Sequence, residues 1–271
     1  MRISLSVVLL YAATLWLGIV TAAQRLASAR IPLSLPEFTI QDGATFAIVF
    51  VLMTFFMLRF GRASRVSISA LMTLAVLAGS MFVLGSWFPW PWDLAAAVVL
   101  TVAVRVRPYV LPHDIGIIFA IAGVSGILGL ALTPLWAVGL LALLSVYDII
   151  AVYQTRTMVA IAGRMIEAGA VFGFLVPTNL RTYFRPVRPA LVDRSVMILG
   201  SGDVGLPLVL ATSSVATSMN AALFVAGGAL VGVLIMQWLF LHQKRQAPMA
   251  ALPPIAVCAI LGYVIATYLG I

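Results

Sequence analysis

The sequence is a succession of apolar runs, most of them long enough to cross a lipid bilayer. About 20 apolar residues in a row cross the hydrocarbon core as a helix, with a range of roughly 17–25. Such a helix satisfies its backbone hydrogen bonds internally, as lipid requires. Nine runs are read as spans: residues 3–23, 44–58, 66–88, 94–106, 115–132, 135–153, 195–216, 220–241 and 253–270. The expected architecture is therefore all-α, one polytopic domain of nine transmembrane helices over residues 1–271. The first run is longer than the apolar core of a secretory leader, so it is read as a retained helix. Residues 155–170 differ, with Met158, Val159, Ile161, Ala162, Met165 and Ile166 on one helical face. Arg156, Gly163, Arg164 and Glu167 fall on the other, the pattern of a helix lying in the membrane interface.

Composition agrees, since charged residues make up only 9% of the chain, against about 25% in soluble domains. The net charge of +8 would suit nucleic acid, but the basic residues sit in short loops between spans. Orientation in the membrane accounts for them better, and no nucleic-acid partner is expected. Cys258 is the only cysteine, which excludes an intrachain disulfide and a thiolate metal site. His113 and His242 lie far apart near span ends and are read as loop histidines, so no metal or other cofactor is expected. Gly123, Gly126 and Gly129, and Gly228 with Gly232, are read as close-packing positions between helices.

Nine spans give the loops alternating sides. Fourteen of the 16 lysines and arginines then fall on the side of the N-terminus, and only Arg25 and Arg30 on the other. The cationic side is cytoplasmic, so the N-terminus is expected inside and the C-terminus outside. One span more or fewer in mid-chain would scramble this asymmetry.

Only eight residues are acidic, and two of them, Asp148 and Asp203, lie inside spans. A carboxylate at that depth costs roughly 2.5–3.5 kcal/mol even on the lenient insertion scale, which marks it as functional or paired. Neither span contains a lysine or arginine. Asp148 precedes the cytoplasmic end of its span by five residues, and Asp203 follows the start of its span at Ser195 by eight. At about 1.5 Å per residue, both are expected roughly 8–12 Å below the cytoplasmic helix ends, on antiparallel neighbours. Two carboxylates in contact do not both ionise easily. One keeps its proton and the pair titrates as a unit. That arrangement activates water directly, as in aspartic proteases. Gly200 and Gly202, just before Asp203, leave room for a backbone to approach, and Pro207 follows within the same span.

Tyr147-Asp148 in the sixth span and Gly200-Ser201-Gly202-Asp203 in the seventh resemble the motifs of the presenilin and signal peptide peptidase family of intramembrane aspartyl proteases. The resemblance is to a prokaryotic, single-chain member. It implies a presenilin-like fold, Asp148 and Asp203 as the catalytic pair, and Tyr147, Gly200 and Gly202 as active-site neighbours. The family's third motif is Pro-Ala-Leu at the start of the last helix. Here Ala250-Ala251-Leu252-Pro253 stands in its place, with Ala250 where the first proline is expected. The implied role of these four residues is to position substrate, in an extended stretch that Pro253 and Pro254 keep from starting as regular helix.

The function expected is that of an intramembrane aspartic endopeptidase. Its partners would be the lipid bilayer and the transmembrane helices of substrate proteins, with homo-oligomerisation left open. The alternative is a proton- or cation-coupled transporter, because buried carboxylates also serve as relays and ion sites. Transporters commonly carry internal repeats and matching broken helices, and the sequence has neither.

Overall fold

The computed structural model describes residues 5–28, 61–154, 171–177, 179–193, 195–243 and 249–271. The expected span at 44–58 and the amphipathic stretch at 155–170 lie outside these residues. Among the described residues the elements run α1 (Leu5–Ser28), α2 (Gly61–Leu84), α3 (Trp92–Val106), α4 (Val110–Ala131), α5 (Pro134–Tyr153) and β1 (Gly173–Pro177). A 3-10 turn (Leu180–Phe184), the short α6 (Val187–Val192), β2 (Val196–Gly200), α7 (Ser201–Ser214), α8 (Met219–His242) and α9 (Leu252–Tyr268) follow. Helices α1, α4, α5, α8 and residues 66–84 of α2 are long and apolar enough to cross a membrane.

The core gathers on α7. Helices α1, α4, α5, α8 and α9 all pack against it, and every residue from Pro207 to Ser214 is buried. Its last buried residues, Thr212, Ser213 and Ser214, donate their hydroxyls to carbonyls of the preceding turn, so no polar group is left open to lipid. On α1 the buried side chains Val7, Tyr11, Leu15, Ile19 and Ala22 recur at helical spacing, while Leu5, Leu9 and Trp16 face outward. Apolar side chains on both faces are what a helix between protein core and lipid requires.

Close helix contacts use the expected glycines. A side chain at Gly123 would collide with the backbone of Gly79 on α2, and one at Gly228 with the carbonyl of Cys258 on α9. Arg25, expected in a loop, sits in the last turn of α1. Its Nη2 donates to the Phe82 carbonyl at 2.7 Å, and the guanidinium lies 5.1 Å from the centre of the Phe82 ring. It thereby satisfies a carbonyl near the end of α2 that has no partner within its own helix.

Several boundaries differ from expectation, each for a local reason. The basic stretch Gly61–Arg65 belongs to α2, and residues 85–88 form a turn after it. Helix α4 starts five residues earlier than expected, at Val110. Pro112 is the third helical residue, where a missing N–H costs nothing, and the early start carries His113 and Asp114 into the helix.

The largest difference concerns the seventh span. Residues 196–200 are not helix but strand β2, and α7 begins only at Ser201. The segment 171–194, read as loop, contains β1, which pairs antiparallel with β2 from Gly173↔Gly200 to Pro177↔Val196. Val196-Met197-Ile198-Leu199 is a short apolar run with two β-branched side chains that ends at a glycine, which suits a strand. Strand β1 is buried at all five positions, so it carries no alternating pattern to be read. The hairpin is tied to the start of α4 by a bridge in which Val110 N–H donates to Arg185 and Val187 N–H donates to Pro108, at 3.1 and 2.8 Å.

Candidate active site

Helix α5 buries a single stripe, Ala137, Leu141, Ser145, Asp148 and Ala151, spaced three or four residues apart. Asp148 is therefore on the one face turned toward α7 and α9, and is 4% exposed. Tyr147, next to it, is half-buried. One oxygen of Asp148, Oδ2, accepts a hydrogen bond from the backbone N–H of Leu252 at 3.3 Å. Leu252 opens α9, so its N–H belongs to the first turn, where helix donors have no internal partner.

That bond comes from the stretch read as the last-helix motif. The contact with Asp148 is made by the main chain of Leu252, so it needs no proline at position 250. Ala250 and Leu252 are buried beside it, at 5% and 4% exposure, and Ala251 and Pro253 are partly buried. The expectation that Pro253 and Pro254 keep this stretch from starting as regular helix is corrected. Ala251 has helical dihedrals, and α9 begins at Leu252 with Pro253 and Pro254 inside its first turn. Proline is tolerated there because its absent N–H would have been an orphan.

Asp203 lies in the first turn of α7 rather than two turns down a helix, because β2 leads directly into α7 at Gly200. Its side chain is half-buried. Its Oδ2 lies against Gly200, and its carboxyl group is near enough to Asp148 for their charges to interact. Helices α5 and α7, which carry the two aspartates, pack against each other.

The glycines before Asp203 have different surroundings. An added Cβ at Gly200 would stand 3.0 Å from Asp203 Oδ2, so that glycine makes room for the carboxylate itself. A Cβ at Gly202 would meet nothing among the described residues, where Gly202 is exposed. Neither glycine is a helix-packing position.

Pro207 explains a residue that the sequence did not signal. In a regular helix the N–H at position 207 would bond the carbonyl of Asp203, and proline has none. The hydroxyl of Tyr11, fully buried in α1, donates to that carbonyl at 3.1 Å. Nothing distinguished Tyr11 in a uniformly apolar run. Tyr11→Phe removes the bond and keeps the ring. We expect about 1–3 kcal/mol lower stability from the unsatisfied carbonyl and a several-fold lower kcat, measured by thermal unfolding and turnover in detergent.

Two further polar residues were missed. His113, read as a loop histidine, is 4% exposed, and Asp114 is completely buried. The two side chains reach the backbone of β1 at Gly173 and Leu175. His242 does lie at a helix end as expected, exposed, with Nδ1 2.8 Å from the Trp238 carbonyl.

Residues 7–270 match the family described as signal-peptide peptidase, presenilin aspartyl protease. The chain belongs to this family of aspartyl proteases. A solved structure of a presenilin-family intramembrane aspartate protease in space group C222 is 26% identical, covers 98% of both chains and superposes with a TM-score of 0.64. A second structure of such a protease, in space group P2, is 25% identical, covers 98% of this chain and 97% of its own, and gives a TM-score of 0.66. No curated protein matches the chain. The protein is therefore a multi-pass membrane protein and an aspartic-type intramembrane endopeptidase, with membrane proteins as substrates. Nothing in these likenesses favours the transporter reading.

Proposed function

We propose that Asp148 and Asp203 are the catalytic pair of this protease, and that they cut a transmembrane helix of another membrane protein near the cytoplasmic face. The observation that carries this reading is the packing of α5 against α7 with Asp148 on the buried stripe of α5, which sets it near enough to Asp203 for their charges to interact. In the reaction one carboxylate takes a proton from water as its oxygen attacks the scissile carbonyl carbon. The protonated partner gives its proton to the carbonyl oxygen. The first aspartic acid then gives its proton to the amide nitrogen, the C–N bond breaks, and a hydroxyl of the collapsing gem-diol returns a proton to the second carboxylate. The pair holds one proton at the start and one at the end, so no cofactor is required.

A substrate helix satisfies its own backbone bonds and must unwind before its carbonyl is accessible. The open space beside Gly202 and the outer edge of β2, which leads into Asp203, support an extended segment lying there. Ala250, Ala251, Leu252 and Pro253 would border it on the Asp148 side. The decisive experiment uses purified protein, a reconstituted single-span substrate and mass spectrometry of the products. We expect a cut inside the span that is lost in Asp148→Asn and in Asp203→Asn. Cleavage that persists in either variant overturns the assignment.

The basic loops support a cytoplasmic N-terminus and an extracytoplasmic C-terminus. A tag placed after Ile271 should be labelled by an impermeant reagent on intact cells. Labelling only after lysis would reverse the orientation.

A further inference from the structure

Strand β1 has two edges, and both are occupied. Toward β2 it bonds through Phe172, Phe174 and Val176, in a ladder that continues to Ser201 N–H on the Phe172 carbonyl at 3.2 Å. Gly173 and Leu175 therefore turn their backbone groups to the opposite edge, as alternate residues of a strand do. There two consecutive side chains of α4 meet them. His113 Nε2–H donates to the Gly173 carbonyl at 3.1 Å, and Asp114 Oδ1 accepts from Leu175 N–H at 2.8 Å. One donor and one acceptor supply what a third strand would have supplied.

Both side chains are buried, and Asp114 Oδ2 has no hydrogen-bond partner among the described residues. Such a group at the end of a membrane-spanning helix is retained against its solvation cost, which points to a task beyond filling space. The route from this clamp to the candidate site is short. Gly173 is the register partner of Gly200, Asp203 Oδ2 lies against Gly200, and α7 starts at the next residue.

We propose that His113 and Asp114 are positioning residues for proteolysis: by closing the outer edge of β1 they hold the hairpin against α4 and so fix where Asp203 stands. This rests on the reading of Asp203 as catalytic. The two residues act through the backbone and do not touch the substrate.

The test compares Asp114→Leu and His113→Leu with the conservative Asp114→Asn and His113→Gln, which keep an acceptor for Leu175 and a donor for Gly173. Each is measured for kcat and KM on a single-span substrate, and for amide exchange by mass spectrometry. The leucine variants should lower kcat about tenfold, since small displacements of reacting groups are costly, with KM within about twofold. Exchange should speed up in peptides covering 171–177 and 196–203 but not in α8. The conservative variants should restore both quantities to within about threefold. If one leucine variant does not fold, the other carries the comparison.

Unchanged exchange in the hairpin, unchanged kcat, or no recovery in the conservative variants would overturn the proposal. Asp203→Asn separates the two readings. If it still cleaves, the catalytic assignment fails, while the exchange result still reports whether the clamp holds the hairpin.

Discussion

Asp148→Asn and Asp203→Asn should each lower kcat by roughly 10⁴-fold, the scale on which an essential member of a catalytic set acts. That corresponds to about 5.4 kcal/mol of transition-state stabilisation at 1.36 kcal/mol per decade. The substitutions are nearly isosteric, and their structural consequences should be small. At position 148 the amide oxygen still accepts from Leu252 N–H, and at position 203 the amide fills the same space beside Gly200. What is lost is the capacity to exchange a proton with water or substrate. Each variant should therefore keep its thermal midpoint within a few degrees and still bind substrate. The measurement is turnover beside substrate crosslinking in the same preparation. A variant that neither cleaves nor crosslinks would point to lost structure instead of lost chemistry.

The second large effect is expected from Gly200→Ala, at on the order of 10–100-fold in kcat. Gly200 has ordinary extended dihedrals, φ −61° and ψ 142°, so alanine introduces no backbone strain. The added methyl stands 3.0 Å from Asp203 Oδ2, closer than comfortable contact, and the carboxylate must move by a few tenths of an ångström. Gly202→Ala is the control, because its methyl meets no atom of the described residues. There kcat on a short peptide should hold within about twofold. A fall in kcat/KM confined to transmembrane substrates would place the substrate against Gly202. Equal losses in both alanine variants on the short peptide would refute the steric account.

The long apolar runs announced helices such as α1, α5 and α8 within a residue or two at several ends, because hydrocarbon leaves a continuous chain no other way to bond its backbone. The glycine contacts at Gly123 and Gly228 were legible for a similar reason, since only a residue without a side chain allows backbones to touch. The hairpin was not legible. Strand β2 is as apolar as a span, and β1 is too short and too fully buried to show a period. A strand is defined by its partner, and these partners stand 27 positions apart at Gly173 and Gly200.

The site divides along the same line. Asp148 and Asp203 were recognisable from sequence alone because a carboxylate in an apolar run is costly wherever the run happens to pack. Tyr11, His113, Asp114 and the N–H of Leu252 carried no such mark. Each matters only through one bond: to the carbonyl that Pro207 leaves open, to the outer edge of β1, and to Asp148. The sequence by itself determined that this chain lies in a membrane as helices and that two acids inside it need a purpose. Only the tertiary structure decided what holds those acids, because a hydrogen bond depends on distance and direction between groups far apart along the chain.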